Sequence, residues 1–168
     1  ALKRELHSGV AFITYYLTMN TLNPPFNDLR VRQAFGHAVD RQSLLRSALK
    51  GVAVAAHGML PPGFPGAAPD LLEDVRPYDP EKARSLLSQA GYPGGLGFPK
   101  VDIWLRTPDA HTTRLPAEAI QAMLADVLNI EIGIRVIERK VFSDGLNSQS
   151  VPLALVAYSQ DYPDPSNL

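Results

Sequence analysis

The composition of this chain is that of an ordinary globular domain, and it excludes several classes of protein. Of the 168 residues, 45% are hydrophobic and 20% are charged, which is too apolar for a disordered chain. The formal net charge of -1 gives no reason to expect a nucleic acid or an anionic membrane surface as a partner. The absence of cysteine excludes thiol catalysis, cysteine-based zinc sites and disulfides, and it leaves both cytoplasm and periplasm open. No apolar run is long enough to span a bilayer.

The first third of the chain predicts a strand followed by two capped helices. Residues 9–20, GVAFITYYLTMN, are rich in β-branched and aromatic side chains and alternate poorly, which predicts a strand buried on both faces. Asn27 or Asp28 can then cap a helix, and Asp40 can cap a second helix that Gly51 ends. Two apolar stripes mark the inward faces. They comprise Val31, Ala34, Phe35, Ala38 and Val39 in the first helix, and Leu44, Leu45, Ala48 and Leu49 in the second.

The middle of the chain is a proline-rich connection that leads to a third capped helix. Residues 57–80 contain six prolines and predict a long irregular crossing segment, in which only 70–75 could form a helical turn. Asp79 is placed to cap the next helix, with Pro80 at its first position and Gly91 at its end. The apolar stripe of this helix comprises Ala83, Leu86, Leu87 and Ala90.

From residue 99 onward strands and helices alternate, which predicts an α/β fold. Strands are predicted at 99–107, 130–139 and 151–159, a helix at 112–129, and a short helix or helical turn at 140–150. Right-handed crossovers are expected wherever neighbouring strands are parallel. The inward stripe of the predicted helix comprises Leu115, Ala119, Ile120, Met123, Leu124 and Val127.

Residue types that carry out catalysis or bind metals are scattered along the sequence. No pair of the four histidines has metal-ligand spacing, and no cluster of acids, bases or nucleophiles is visible, so we predict no metal, no cofactor and no enzyme. Trp104 has the opposite parity to Val101, Ile103 and Leu105, which predicts packing on the reverse face of the sheet under a helix. A position that faces a cleft is the alternative for this residue.

Three motifs, in this order, carry a resemblance to a known family. They are NPPFNDLRVRQAFGHAVDRQSLL at 23–45, YDPEKARSLLSQAGY at 78–92 and YSQDYPDP at 158–165. Together they resemble the bacterial extracellular solute-binding proteins of family 5, the dipeptide and oligopeptide receptors of ABC importers. The resemblance implies a two-lobed, class II clamshell that closes around its ligand. Residues 1–168 would be most of the second lobe, a truncated α/β lobe that begins near the hinge, and the natural protein would continue beyond it.

The resemblance also implies candidate ligand-binding residues. The terminal motif is similar to the W-x-x-D-Y segment of the family, in which the Trp lines a side-chain pocket and the Asp pairs with the α-ammonium group of the peptide. Asp161 matches this Asp, and Tyr158 stands where the Trp is usual, a departure that affects the shape of the pocket. Arg106 is a candidate for the peptide carboxylate, because an Arg of this lobe meets that group in some relatives. Spacing alone favours a turn for Asp161 and Asp164, and the resemblance changes this interpretation for Asp161 only.

The function that the resemblance implies is binding without chemistry. The chain would belong to the substrate-binding component of a peptide ABC importer, periplasmic or lipid-anchored, which delivers its cargo to a membrane permease. The alternatives are a ligand-sensing regulatory module, a receptor for a nickel complex or a sugar, and a small cytoplasmic α/β enzyme. Alone, the chain is expected to bind ligand weakly and to self-associate through the apolar surface that would meet the missing segments.

Overall fold

A computed structural model of the chain describes residues 11–50, 53–68, 75–159, 161 and 164. These residues form an α/β fold with the strands and helices in the order that the sequence predicts. The elements are β1 (Ile13–Met19), α1 (Leu29–Ala38), α2 (Arg41–Ser47), α3 (Pro80–Gln89), β2 (Val101–Arg106), α4 (Ala110–Leu128), β3 (Ile132–Ile137), α5 (Arg139–Asn147) and β4 (Leu153–Ser159). None of the helices in these ranges combines the length and the apolar character that crossing a membrane requires.

The four strands form one mixed sheet in the order β1-β4-β2-β3. β2 is parallel to both β3 and β4, as the alternation of strands and helices predicts, and β1 pairs with β4 in the antiparallel direction. The prediction that β1 is buried on both faces is wrong, because Ile13 is 40% and Tyr15 is 48% exposed. Among the described residues β1 lies at the edge of the sheet, which accounts for the exposure of side chains at its start.

The main core lies between one face of the sheet and the helices α1, α3 and α4. The stripe predicted for α1 is confirmed, since every member is buried. Its central side chain, Phe35, packs edge-on against Phe26 with ring centroids 5.3 Å apart, and its centroid lies 6.0 Å from that of Phe98. Leu87 of α3 and Leu124 of α4 are also fully buried in this core. Together these contacts hold the three helices on the same side of the sheet.

One residue of the inward stripe predicted for α4 faces outward in the structure. Leu115 was expected to face inward, but it is 59% exposed, whereas Ile120 and Leu124 are buried as predicted. An α-helix turns by about 100° per residue, so Leu115, nine positions before Leu124, lies on the opposite side of the helix. Thr113 and Ala117 are buried at the start of the helix instead.

A second cluster covers the other face of the sheet. Its buried residues are Phe142 of α5, Val151, and Ala154 of β4, and Trp104 packs against them while remaining partly exposed. The prediction that Trp104 lies on the reverse face of the sheet under a helix is therefore confirmed. The guanidinium carbon of Arg135 lies 5.7 Å from the centroid of the Trp104 ring. This distance is within the range of a cation–π contact.

The three predicted aspartate caps are present. The side chains of Asp28, Asp40 and Asp79 each accept a hydrogen bond from a backbone amide in the first turn of α1, α2 and α3, over distances of 2.8 to 3.0 Å. α1 is thus capped by Asp28 and not by Asn27. The predicted helix end at Gly51 and most of the predicted turn at 70–75 lie outside the described residues.

Candidate functional site

The parallel strands bring their carboxyl ends together at one edge of the sheet, which we name the carboxyl edge. Arg106 ends β2 and Ile137 ends β3, and Tyr158 is the next-to-last residue of β4. The antiparallel strand β1 begins at the same edge, because Ile13 is the register partner of Ser159. The chain leaves β2 towards α4 on one face and leaves β3 towards α5 on the other face. Diverging connections of this kind leave a crevice at the carboxyl ends of the strands, where α/β proteins bind ligands.

Two of the three candidate residues share one face of the sheet at this edge. Successive side chains of a strand point to opposite faces, so Arg106 lies on the same face as Trp104, and Tyr158 on the same face as Ala154. Trp104 and Ala154 both belong to the second cluster, so Arg106 and Tyr158 are on the side of the sheet that α5 covers. Tyr158 is half-buried and Arg106 is partly exposed.

The third candidate, Asp161, lies two residues beyond the end of β4 and is exposed. Because β4 ends at Ser159 on the carboxyl edge, Asp161 follows that edge by two residues in the sequence. Asp164, which we interpreted as a turn residue, is also exposed and lies three residues further along the chain. The ligand-binding roles of the three candidates stay predictions.

Arg106 has a carboxylate neighbour that the sequence reasoning missed. Its Nε donates to Oδ2 of Asp109 over 2.8 Å, and its Nη2 donates to the same oxygen. Asp109 precedes α4 but its side chain does not cap the helix, so its carboxylate is engaged by Arg106 instead. About one third of each side chain is exposed. A guanidinium group has more N–H groups than one carboxylate oxygen can accept, so Arg106 is oriented by Asp109 and retains donors for a second anion.

The helix that follows β3 adds another negative charge to the carboxyl edge. Glu138, directly before α5, accepts hydrogen bonds from the backbone amides of Lys140 and Val141 at 2.8 and 3.2 Å. These hydrogen bonds lower the pKa of Glu138, so its carboxylate stays ionised at neutral pH. Asp109 and Glu138 thus place two carboxylates near this edge, and Arg106, Arg139 and Lys140 place positive charges beside them. Both signs of charge are available at the edge, which suits a ligand that carries both an ammonium and a carboxylate group.

The proline-rich segment, residues 53–68, reaches this edge as well. The Thr14 hydroxyl donates to the backbone carbonyl of Met59 over 2.8 Å, and the rings of Phe12 and Phe64 meet edge-on with centroids 5.1 Å apart. Thr14 is only 3% exposed although it is polar. Sequence reasoning predicted a surface crossing here and missed this contact. A buried hydroxyl needs a hydrogen-bond partner, but β1 carries a second threonine and two tyrosines, so the sequence alone does not single out Thr14.

No metal site is formed by the part of the chain that the structure describes, since no three histidine, aspartate or glutamate side chains converge there.

Comparison with known proteins identifies the family. Residues 2–168 match the family described as "Bacterial extracellular solute-binding proteins, family 5 Middle". The chain belongs to this family. It is 34% identical over 159 residues to the probable di/tripeptide-binding protein 5 of Pseudomonas aeruginosa (strain UCBPP-PA14), a match that covers 94% of this chain and 29% of the relative. It is 33% identical over 117 residues to the heme-binding protein A of Haemophilus influenzae, which covers 70% of this chain and 20% of the relative.

A solved structure supports the same assignment. The dipeptide-binding protein from Pseudoalteromonas sp. SM9913, in complex with Met-Leu, superimposes with a TM-score of 0.81 at 29% identity, over 94% of this chain and 30% of that protein. The predicted family and the α/β fold of periplasmic binding proteins are therefore confirmed. The chain spans less than a third of the length of these relatives. The family and the matched proteins are binding proteins and not enzymes.

Proposed function

We propose that this chain is part of the substrate-binding component of a peptide ABC importer and forms most of its second lobe. The observation that supports the proposal is that Arg106 and Tyr158 lie at the carboxyl ends of neighbouring strands, with Asp161 shortly after β4, in a chain of the solute-binding family. Two of the relatives are named as a di/tripeptide-binding and a dipeptide-binding protein, which supports a short peptide as cargo. The protein would bind without chemistry in the periplasm, free or lipid-anchored, and would deliver its cargo to a membrane permease.

In the proposed complex, charged groups of the peptide are recognised at the carboxyl edge. Asp161 pairs with the α-ammonium group, because a positive charge removed from water needs a carboxylate partner. Arg106, oriented by Asp109, is available for the peptide carboxylate, and Tyr158 lines a side-chain pocket. The carboxyl edge of this lobe is open to water, where charge pairs contribute little. Strong binding therefore requires the second lobe, whose closure excludes water, and the ligand stabilises the closed state.

The proposal is tested by removing the charge of Asp161 in the full-length protein. Truncating one partner of a buried charge pair costs about 2–5 kcal/mol of binding free energy. Asp161→Asn should therefore lower the affinity for a dipeptide, measured by isothermal titration calorimetry, by a factor of about 30 or more. Asp164→Asn is the matched control, since it makes the same change three residues away, and it should leave the affinity unchanged. Acetylation of the peptide N-terminus should abolish the difference between wild type and Asp161→Asn. Equal dipeptide affinities in wild type and Asp161→Asn would contradict the proposed role.

A cargo other than a peptide is the second candidate. One relative is named a heme-binding protein, and Tyr158 replaces the Trp that is usual in the peptide receptors. A thermal-shift screen with peptides, heme, nickel complexes and short sugars distinguishes these ligands, because binding of the cargo to the native state should raise the melting temperature of the full-length protein. A DNA-binding domain in the full-length protein would favour the sensing module over transport. Self-association of the isolated chain stays a prediction that sedimentation analysis can check.

A further inference from the structure

The proline-rich segment is attached to the carboxyl edge at two points on one side of β1. The hydrogen bond from Thr14 to the Met59 carbonyl is one point, and the ring contact between Phe12 and Phe64 is the other. Phe64 is only 3% exposed, and Thr14 is equally buried, so both contacts are shielded from water. A segment with two shielded attachments is held in place there rather than loosely laid across the surface.

The register of the sheet places this attachment beside the candidate ligand site. Thr14 is the direct partner of Tyr158 across the β1–β4 ladder. Side chains of directly opposed residues lie on the same face of an antiparallel pair, with their Cβ atoms about 5 Å apart. The Thr14 hydroxyl and the Tyr158 ring therefore start from neighbouring positions on one face. The Met59 carbonyl, which accepts from that hydroxyl, is thus a near neighbour of the pocket position.

The side chain of Met59 has properties that suit the wall of a binding pocket. Met59 remains 41% exposed although its backbone is held, so its thioether side chain stays accessible to a ligand. Methionine is flexible and polarisable, and it is used at binding surfaces that accept several apolar partners. Tyr158, the register partner of Thr14, is half-buried, and its ring offers an aromatic face for a methionine sulfur or an aliphatic side chain.

We propose that Met59 and Tyr158 together form the wall that receives an apolar side chain of the bound peptide, and that Thr14 is the positioning residue for this wall. The inference rests on the proposed peptide-binding function and adds to it the residue that determines side-chain preference. It also explains why a buried strand position carries a hydroxyl, since the Thr14 hydroxyl fixes the segment that supplies Met59.

The experiment compares the affinities of three dipeptides, Ala-Ala, Leu-Ala and Ala-Leu, for the full-length protein and its variants. The preference for a leucine peptide over Ala-Ala should fall about tenfold in Met59→Ala, which is the size of effect that small changes in an apolar pocket produce. Met59→Leu keeps an apolar side chain of similar volume and should preserve the preference. Thr14→Val keeps the shape of the side chain but removes the hydrogen bond to Met59. Like Met59→Ala, it should reduce the preference for a leucine peptide over Ala-Ala.

The control and the outcomes separate this inference from the proposed function. Leu96, an exposed residue of the turn before β2 at the opposite edge of the sheet, provides the matched control, and Leu96→Ala should change no affinity. An unchanged leucine preference in Met59→Ala, together with weaker binding of all three peptides in Asp161→Asn, overturns the inference and leaves the proposed function standing. If the wild-type protein binds none of the three dipeptides and none of the longer peptides of alanine and leucine, both proposals are wrong. Thermal unfolding of each variant confirms that it is folded when the affinities are compared.

Discussion

Two leucines of α4 distinguish the observed orientation of this helix from the orientation that the sequence pattern predicts. Leu124 is fully buried in the main core, whereas Leu115 is 59% exposed. Replacing either leucine by alanine changes the helix propensity by the same small amount, so the difference between the two variants reports burial. We expect Leu124→Ala to lower the free energy of unfolding by about 3 kcal/mol, from lost transfer energy and the cavity that remains. Leu115→Ala should stay within about 0.5 kcal/mol of wild type.

Thermal and urea unfolding of the chain, followed by circular dichroism, measure this difference. For a chain of this size each kcal/mol shifts the melting temperature by about 2–4 °C, so Leu124→Ala should melt about 6–12 °C below wild type. The unfolding curves of Leu115→Ala and of wild type should nearly coincide. Equal losses in the two variants, or a larger loss for Leu115→Ala, would contradict the orientation of α4. The position of Asp109, the partner of Arg106, would then also be in question, because Asp109 directly precedes this helix.

Two further predictions concern the helix caps. Asp79→Ala leaves an amide of α3 without its side-chain acceptor, and it should cost about 1 kcal/mol in urea unfolding, whereas Asp79→Asn should retain most of the stability. The hydrogen bond from the Arg30 side chain lowers the pKa of Asp28, so this carboxylate stabilises the fold above the ordinary aspartate pKa of about 4 and loses that contribution as pH falls through its lowered value. Asp28→Asn keeps a capping side chain without the charge, and its stability should therefore decline less steeply than that of wild type below about pH 4. Parallel stability curves for wild type and Asp28→Asn would show that the charge pair with Arg30 does not stabilise the fold.

The caps and the helices could be predicted because their causes are local. Asp28, Asp40 and Asp79 each bond to a backbone amide two or three residues away, so the sequence contains both partners of the contact. Trp104 could also be placed on its face, because the parity of a strand needs only the neighbouring residues. Leu115 could not be placed in the same way. It belongs to a wide apolar arc, and only the contact with the sheet decides which part of that arc is buried.

In the candidate site, too, a continuous motif could be recognised from the sequence, and contacts between distant residues could not be predicted. The motif that contains Tyr158 and Asp161 is continuous, so its likeness to the family is visible before any folding is considered. The pairing of Arg106 with Asp109 is also close in sequence, but an arginine three residues before an aspartate is too common a pattern to indicate a contact. The contact between Thr14 and Met59 spans 45 positions and has no local signature.

The sequence by itself determined the class of fold, the positions of most strands and helices, the caps and the family, because periodicity, capping and continuous motifs all act between near neighbours. Only the tertiary structure decided that β1 lies at the edge of the sheet, that α4 turns Leu115 outward, and that the proline-rich segment contacts Thr14 and Phe12. Each of these facts depends on which distant surfaces bury one another. The packing of the whole sheet against its helices determines which surfaces are buried, and the sequence of a single segment does not contain that information.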